Sequence, residues 1–185
     1  MKNINLNPWG LIFFLLCLDQ ALKLWIKTNM NIGDEIVVTN WFIIHFVENN
    51  GFAFGWEFFG SAGKLFLTIF RVVFAFFVFR WLRDLIKENG SRWVVFSMAL
   101  IFAGAVGNII DSVFYGVFFD YAPLFFGRVV DMFYFPIIDG YYPDWFPVFG
   151  GEYFVFFRYI FNVADSCITI GAFVLLFNYK NLSLK

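Results

Sequence analysis

The sequence predicts an all-α membrane protein, a bundle of four transmembrane helices that carries a small external β-sheet and a long external loop. Three observations lead there. Of 185 residues, 61% are hydrophobic, 25% aromatic and only 15% charged, which is too apolar for a small domain with a wetted surface. Four apolar stretches, at about 9–26, 64–82, 93–115 and 154–179, approach the roughly 20 residues that span a bilayer. The basic residues gather on one side of those stretches.

The first stretch has a weakly basic start and an apolar run, as a secretory signal does. No small-residue cleavage site follows it, so it reads as a retained helix. Lys2 precedes it, Arg80, Arg83, Lys87 and Arg92 surround the connection between the second and third stretches, and Lys180 and Lys185 follow the fourth. The positive-inside rule makes these segments, and both termini, cytoplasmic. Asp34, Glu35, Glu48 and Glu57 then mark one external segment, about 27–63, and Asp120, Asp139, Asp144 and Glu152 the other, about 116–153.

In the first external segment, 35–39 and 41–47 read as short strands. The second is dense in aromatic residues and broken by Pro123, Pro136, Pro143 and Pro147, so it reads as loop with at most short helical or strand pieces, suited to the bilayer interface. Without an internal repeat, low-complexity tract or polar linker, residues 1–185 are expected to form one domain.

Cys17 and Cys167 read as buried packing residues, and bulky Leu16 before Cys17 argues against a lipid-attachment site. With His45 the lone histidine, paired-histidine ligation within one chain is excluded, and neither metal nor cofactor is expected.

Ionisable residues inside apolar stretches are costly and face a bundle interior or water. Asp19 and Lys23 lie four apart on the first stretch, Asn108 and Asp111 three apart on the third, and Asn162 and Asp165 three apart on the fourth. Each pair shares a helix face. At about 1.5 Å per residue, Asn108 lies roughly 24 Å beyond Arg92 and Asp165 roughly 22 Å from Lys180, so the three pairs converge on one layer in the outer part of the bilayer. Arg71, two turns below Lys64, reads as a side chain that snorkels to the outer surface. The small residues of 103–107 allow close helix approach.

In this order the pieces resemble the lipoprotein signal peptidase family, signal peptidase II. Asp19 to Lys23 is similar to the family's first motif, Asn49-Asn50-Gly51-Phe52-Ala53-Phe54-Gly55 to its Asn-x-Gly-x-Ala-Phe motif, and Gly104 to Asp111 to its third-helix motif. Val129-Val130-Asp131 and Phe161-Asn162-Val163-Ala164-Asp165 resemble the two segments that carry the catalytic aspartates. Each pattern is short and weak alone, whereas five in order are specific.

The resemblance implies an aspartic endopeptidase of the bacterial inner membrane that cuts diacylglyceryl-modified prolipoproteins on the amino side of the lipidated cysteine. It further implies an Asp131–Asp165 dyad acting on water, with Asn49, Asn108, Asn162, Asp19 and Asp111 binding substrate backbone or orienting the dyad. Gly51 and Gly107 would permit close approach, and Lys23 would support Asp19. The expected partners are that substrate and membrane lipid, without nucleic acid, and the expected state is a monomer.

Two departures stand out. Ser112 occupies the place where the family commonly has arginine, leaving Arg128 or Arg71 as a replacement cation, and Leu22 stands where Ser or Thr is frequent. The connections from Asp111 to Asp131 and from Asp131 to Asp165 are also longer than in compact members, which enlarges any lid. Two other classes compete: a small transporter or proton-conducting subunit, which needs polar residues through the full thickness, and a scaffold whose polar layer only fixes packing.

Overall fold

The computed structural model describes residues 7–51, 60–178 and 180. Residues 52–55 of the glycine motif, together with Lys2, Glu57, Tyr179 and Lys185, lie outside the described residues. The first helix, α1 (Pro8–Asn29), is started by Asn7, whose side chain accepts from the backbone N–H groups of Trp9 and Gly10, with Pro8 in the first turn. Next come α2 (Gly60–Lys87) and α3 (Arg92–Ile110), the latter continued by a π turn (Asp111–Tyr115) and a last helical turn (Gly116–Phe118). By length and composition, α1, α2 and the extended α3 are able to cross a membrane.

The helix expected over 154–179 forms only as α4 (Val163–Phe177), 15 mostly apolar residues or about 22 Å of helix. The preceding apolar residues make strands instead: β4 (Ile138–Tyr141) pairs with β5 (Tyr153–Phe156), and β6 (Ile160–Phe161) pairs with β3 (Val129–Tyr134). A run such as Tyr153-Phe154-Val155-Phe156-Phe157 satisfies a hydropathy window while its aromatic residues prefer a pleated sheet. Phe157, at φ 64°, then breaks any continuous helix.

The expected strands of the first connection form as β1 (Glu35–Thr39) and β2 (Phe42–Asn49). With β3 and β6 they make a four-stranded antiparallel sheet in the order β1-β2-β3-β6. Its register sets Asp131 opposite Val47 and Val129 opposite Asn49, after a bulge between Ile44 and Val47. Ile26, Phe46, Tyr115, Val130 and Met132 form the apolar cluster that fastens this sheet to the ends of α1 and α3.

Helix α3 packs against α1, α2 and α4. Its contact with α4 depends on missing side chains: a Cβ on Gly104 would stand 2.2 Å from the Ala164 carbonyl oxygen, and one on Gly171 2.8 Å from the Ser97 carbonyl oxygen. Toward the α2–α3 connection the interior is apolar, built from Ile12, Val78, Leu82, Val94, Met98, Ala99, Ile101 and Ala103. The outer faces carry exposed Phe13, Phe14, Phe66 and Phe77, the surface that lipid solvates. Cys17 lies on that face, exposed rather than buried as expected, because it follows Phe13 and Phe14 at helical spacing, while Cys167 is buried.

Candidate active site

The site is built where α4 begins. Asn162 is its N-cap, its Oδ1 accepting from the backbone N–H of Asp165 at 2.8 Å, and the Asp165 carboxylate accepts in return from the backbone N–H of Asn162 at 3.3 Å. This reciprocal capping box fixes Asp165 in the first turn, where the helix dipole favours negative charge. Asn162 has a second task, since its Nδ2 donates to Asp131 Oδ1 at 2.7 Å. One residue thus holds both carboxyl groups, one through its backbone and the other through its side chain.

Asp131, in the middle of β3, is 3% exposed. Its second oxygen accepts from Asn49 Nδ2 at 3.3 Å, at the end of the neighbouring strand β2. Asp165 Oδ1 accepts from Asn108 Nδ2 at 2.8 Å, on α3. Burial pushes the Asp131 carboxyl up to about 7, nearby Asp165 adds to the rise, and the amides of Asn49 and Asn162 together with Lys23 oppose it. A carboxyl poised near neutrality beside a second one is suited to exchange protons with water.

Behind the pair lies a second, deeper layer. The ammonium of Lys23, fully buried, sits 2.9 Å from Asp19 and 2.8 Å from Asp111 and donates to Asn108 Oδ1 at 3.0 Å. Those three contacts use its three N–H donors. Asp19 Oδ1 accepts from the Ala164 backbone N–H at 2.9 Å, which ties α1 to the first turn of α4. Gly107 makes room for this crossing, because a Cβ there would stand 2.7 Å from Asp19 Oδ2. Asp111 reaches the Val130 N–H at 3.4 Å, next to Asp131 in the strand.

The sequence expectations therefore divide by depth. Asp131, Asp165, Asn49, Asn108 and Asn162 join in one hydrogen-bonded network. Asp19, Lys23 and Asp111 form an ion cluster beside it, and their bonds reach Asn108, the Ala164 N–H and the Val130 N–H. Gly51, at φ 90°, forms the turn after Asn49. Arg71 does not snorkel outward, since its guanidinium turns inward to Gly51 and Ser112.

Sequence reasoning passed over Gln20 and Tyr115. Gln20 Nε2 shares its two N–H groups among Asp19, the Gly107 carbonyl and Asp111 at 3.0–3.2 Å, and its Oε1 accepts from the Tyr115 hydroxyl at 3.1 Å. The available signals were an amide directly after Asp19 inside an apolar run, and a tyrosine one turn after Asp111.

Fold and polar layer together define a multi-pass membrane protein with a paired-carboxyl site at one end of its helices. The chain belongs to the signal peptidase II family: the family model described as signal peptidase (SPase) II matches residues 11–180. A lipoprotein signal peptidase of Porphyromonas gingivalis is 48% identical, over 92% of this chain and 81% of that one. A second, from Amoebophilus asiaticus, is 37% identical over 88% of this chain and 73% of its own length. A solved structure described as a bacterial membrane enzyme superposes with a TM-score of 0.66 at 26% identity, covering 98% of this chain and 94% of the other.

Proposed function

We propose that this chain is a membrane-embedded aspartic endopeptidase that removes signal peptides from diacylglyceryl-modified bacterial prolipoproteins, cutting on the amino side of the lipidated cysteine. The observation that carries this reading is the joint hold of Asn162 on Asp131 and Asp165. Two carboxyls in such proximity do not both ionise cheaply and share a proton near neutral pH. The ionised member draws a proton from water as its oxygen attacks the scissile carbonyl. The protonated member donates a hydrogen bond to the carbonyl oxygen, and a proton passes to the leaving amine when the carbon–nitrogen bond breaks.

In this reading the whole chain is one domain, α1 to α4 are four spans, and both termini face the cytoplasm. The sheet and the acid pair lie at the outer face of the inner membrane, within reach of water, while the acyl chains of the substrate remain in lipid. The protein works as a monomer on prolipoprotein and lipid, without nucleic acid or cofactor. The apolar interior toward the α2–α3 connection disfavours a proton path through the full thickness.

The test is cleavage of a diacylglyceryl-modified precursor peptide by wild type, Asp131→Asn and Asp165→Asn, each purified to the same folded yield. Wild type is expected to cut before the lipidated cysteine and both variants to lose several orders of magnitude in rate. Normal cutting by either variant refutes the acid pair.

A further inference from the structure

Helix α2 gives no carboxyl to the site, yet it turns two cations toward it. Arg71 Nη2 donates to the Gly51 carbonyl at 2.9 Å and Nη1 to Ser112 Oγ at 3.2 Å. Lys64, 5% exposed and on the same side of α2, donates to the Asn50 carbonyl at 3.0 Å and reaches Ser112 Oγ at 3.5 Å. Among the described residues, neither cation forms an ion pair. A buried ammonium and a half-buried guanidinium are committed to the carbonyls of one short turn.

That turn leads directly to the acid pair. The Gly51 N–H donates to Asn49 Oδ1 at 2.6 Å. With its oxygen so engaged, the Asn49 amide presents Nδ2 to Asp131 Oδ2. Gly51 lies directly against the guanidinium, since a Cβ there would stand 2.5 Å from Arg71 Nη1. The connection runs from Arg71 through Gly51 and Asn49 to Asp131 without a gap.

We propose that Arg71, backed by Lys64 and Ser112, is a positioning residue for Asp131, acting through the Asn49–Gly51 turn. The inference rests on the reading of Asp131 as a member of the acid pair. The planar fork holds the Gly51 carbonyl and the Ser112 hydroxyl with two N–H groups fixed relative to each other, a geometry that a freely rotating ammonium does not impose. The charged groups that face Asp131 are Asp165 from α4, Lys23 from α1 and Arg71 from α2. Losing Arg71 removes both a cation and the hold on Asn49, and both losses disfavour the Asp131 carboxylate.

The experiment uses the full-length enzyme in detergent with the same precursor peptide. It measures kcat and KM against pH for wild type, Arg71→Gln, Arg71→Lys, Asn49→Ala and the Arg71→Gln/Asn49→Ala pair. Arg71→Gln is expected to lower kcat about 100-fold with KM little changed and to move the acid limb of the profile up by about one pH unit. The double variant should be slower than Asn49→Ala by far less than the about 100-fold that Arg71→Gln costs alone, and Arg71→Lys should not restore the rate. Multiplying effects in the double variant, an effect on KM alone, or full rescue by lysine overturns the proposal.

A second readout does not depend on turnover: infrared titration of the carboxyl band that Asp131→Asn removes. It should move to higher pH in Arg71→Gln, and an unmoved band overturns the proposal. Should Arg71→Gln not fold, Arg71→Lys carries the same titration with the same two outcomes. Normal cleavage by Asp131→Asn sinks the acid-pair reading alone, and the infrared arm still decides whether Arg71 sets Asp131.

Discussion

Replacing Lys23 by methionine removes a cation that nothing else in the deep layer can supply. Its ammonium stands 2.9 Å from Asp19 and 2.8 Å from Asp111. At an effective dielectric constant of about 20 each attraction is about 6 kcal/mol before desolvation. Extracting the three ions from water cancels most of that gain, so the triad adds little net stability when whole. Breaking it leaves two carboxylates facing each other with no ion-pair partner among the described residues, and such truncations cost about 3–5 kcal/mol. We therefore expect Lys23→Met, purified in detergent, to unfold at a distinctly lower denaturant concentration in a sodium dodecyl sulfate titration. The triple variant Lys23→Met/Asp19→Asn/Asp111→Asn removes all three charges and keeps acceptors for the Ala164 and Val130 N–H groups. It should recover most of the loss. A Lys23→Met protein within about 0.5 kcal/mol of wild type, or a triple variant weaker than the single one, refutes this account of the layer.

Two further outcomes follow from the geometry. Gly104→Val places a side chain where even a Cβ would meet the Ala164 carbonyl at 2.2 Å. Overpacking of this kind costs about 1–3 kcal/mol and displaces the first turn of α4, so cleavage and the unfolding midpoint should fall together. Full activity in this variant would show that α3 and α4 need not touch. The Asp131 carboxyl holds its proton up to about 7 against an ordinary value of 3.8. The folded state therefore binds the extra proton between those limits, and wild type should lose stability as pH rises from about 4 to about 7, by a few kcal/mol at most. Unfolding titrations at several pH values check this, and Asp131→Asn should lack the slope.

The polar layers were legible because charge in an apolar stretch is rare and its spacing is periodic. Asp19 with Lys23, Asn108 with Asp111 and Asn162 with Asp165 were each read as a helical pair, and the three pairs meet. Less legible were features decided by long-range packing. The start of α4 was set about nine residues early, because strand-forming aromatics and helix-forming aliphatics look alike to a hydropathy window. Arg71 reads from the sequence as snorkelling to the outer surface because nothing local reports that Gly51, twenty positions away, lacks a side chain in its path. Cys17 was read as buried because an apolar helix offers no sequence signal for which side meets lipid.

The capping box at the head of α4 ties folding to chemistry in one set of bonds. Asn162 starts the helix through its backbone N–H and its Oδ1, and the Nδ2 of the same amide holds Asp131. Variation at Asn162 is therefore confined from two directions. A residue chosen to strengthen the helix end must also deliver an amide to Asp131, and one chosen to retune the acid must still close the helix. Any change at that corner therefore alters the helix end and the surroundings of both carboxyls together.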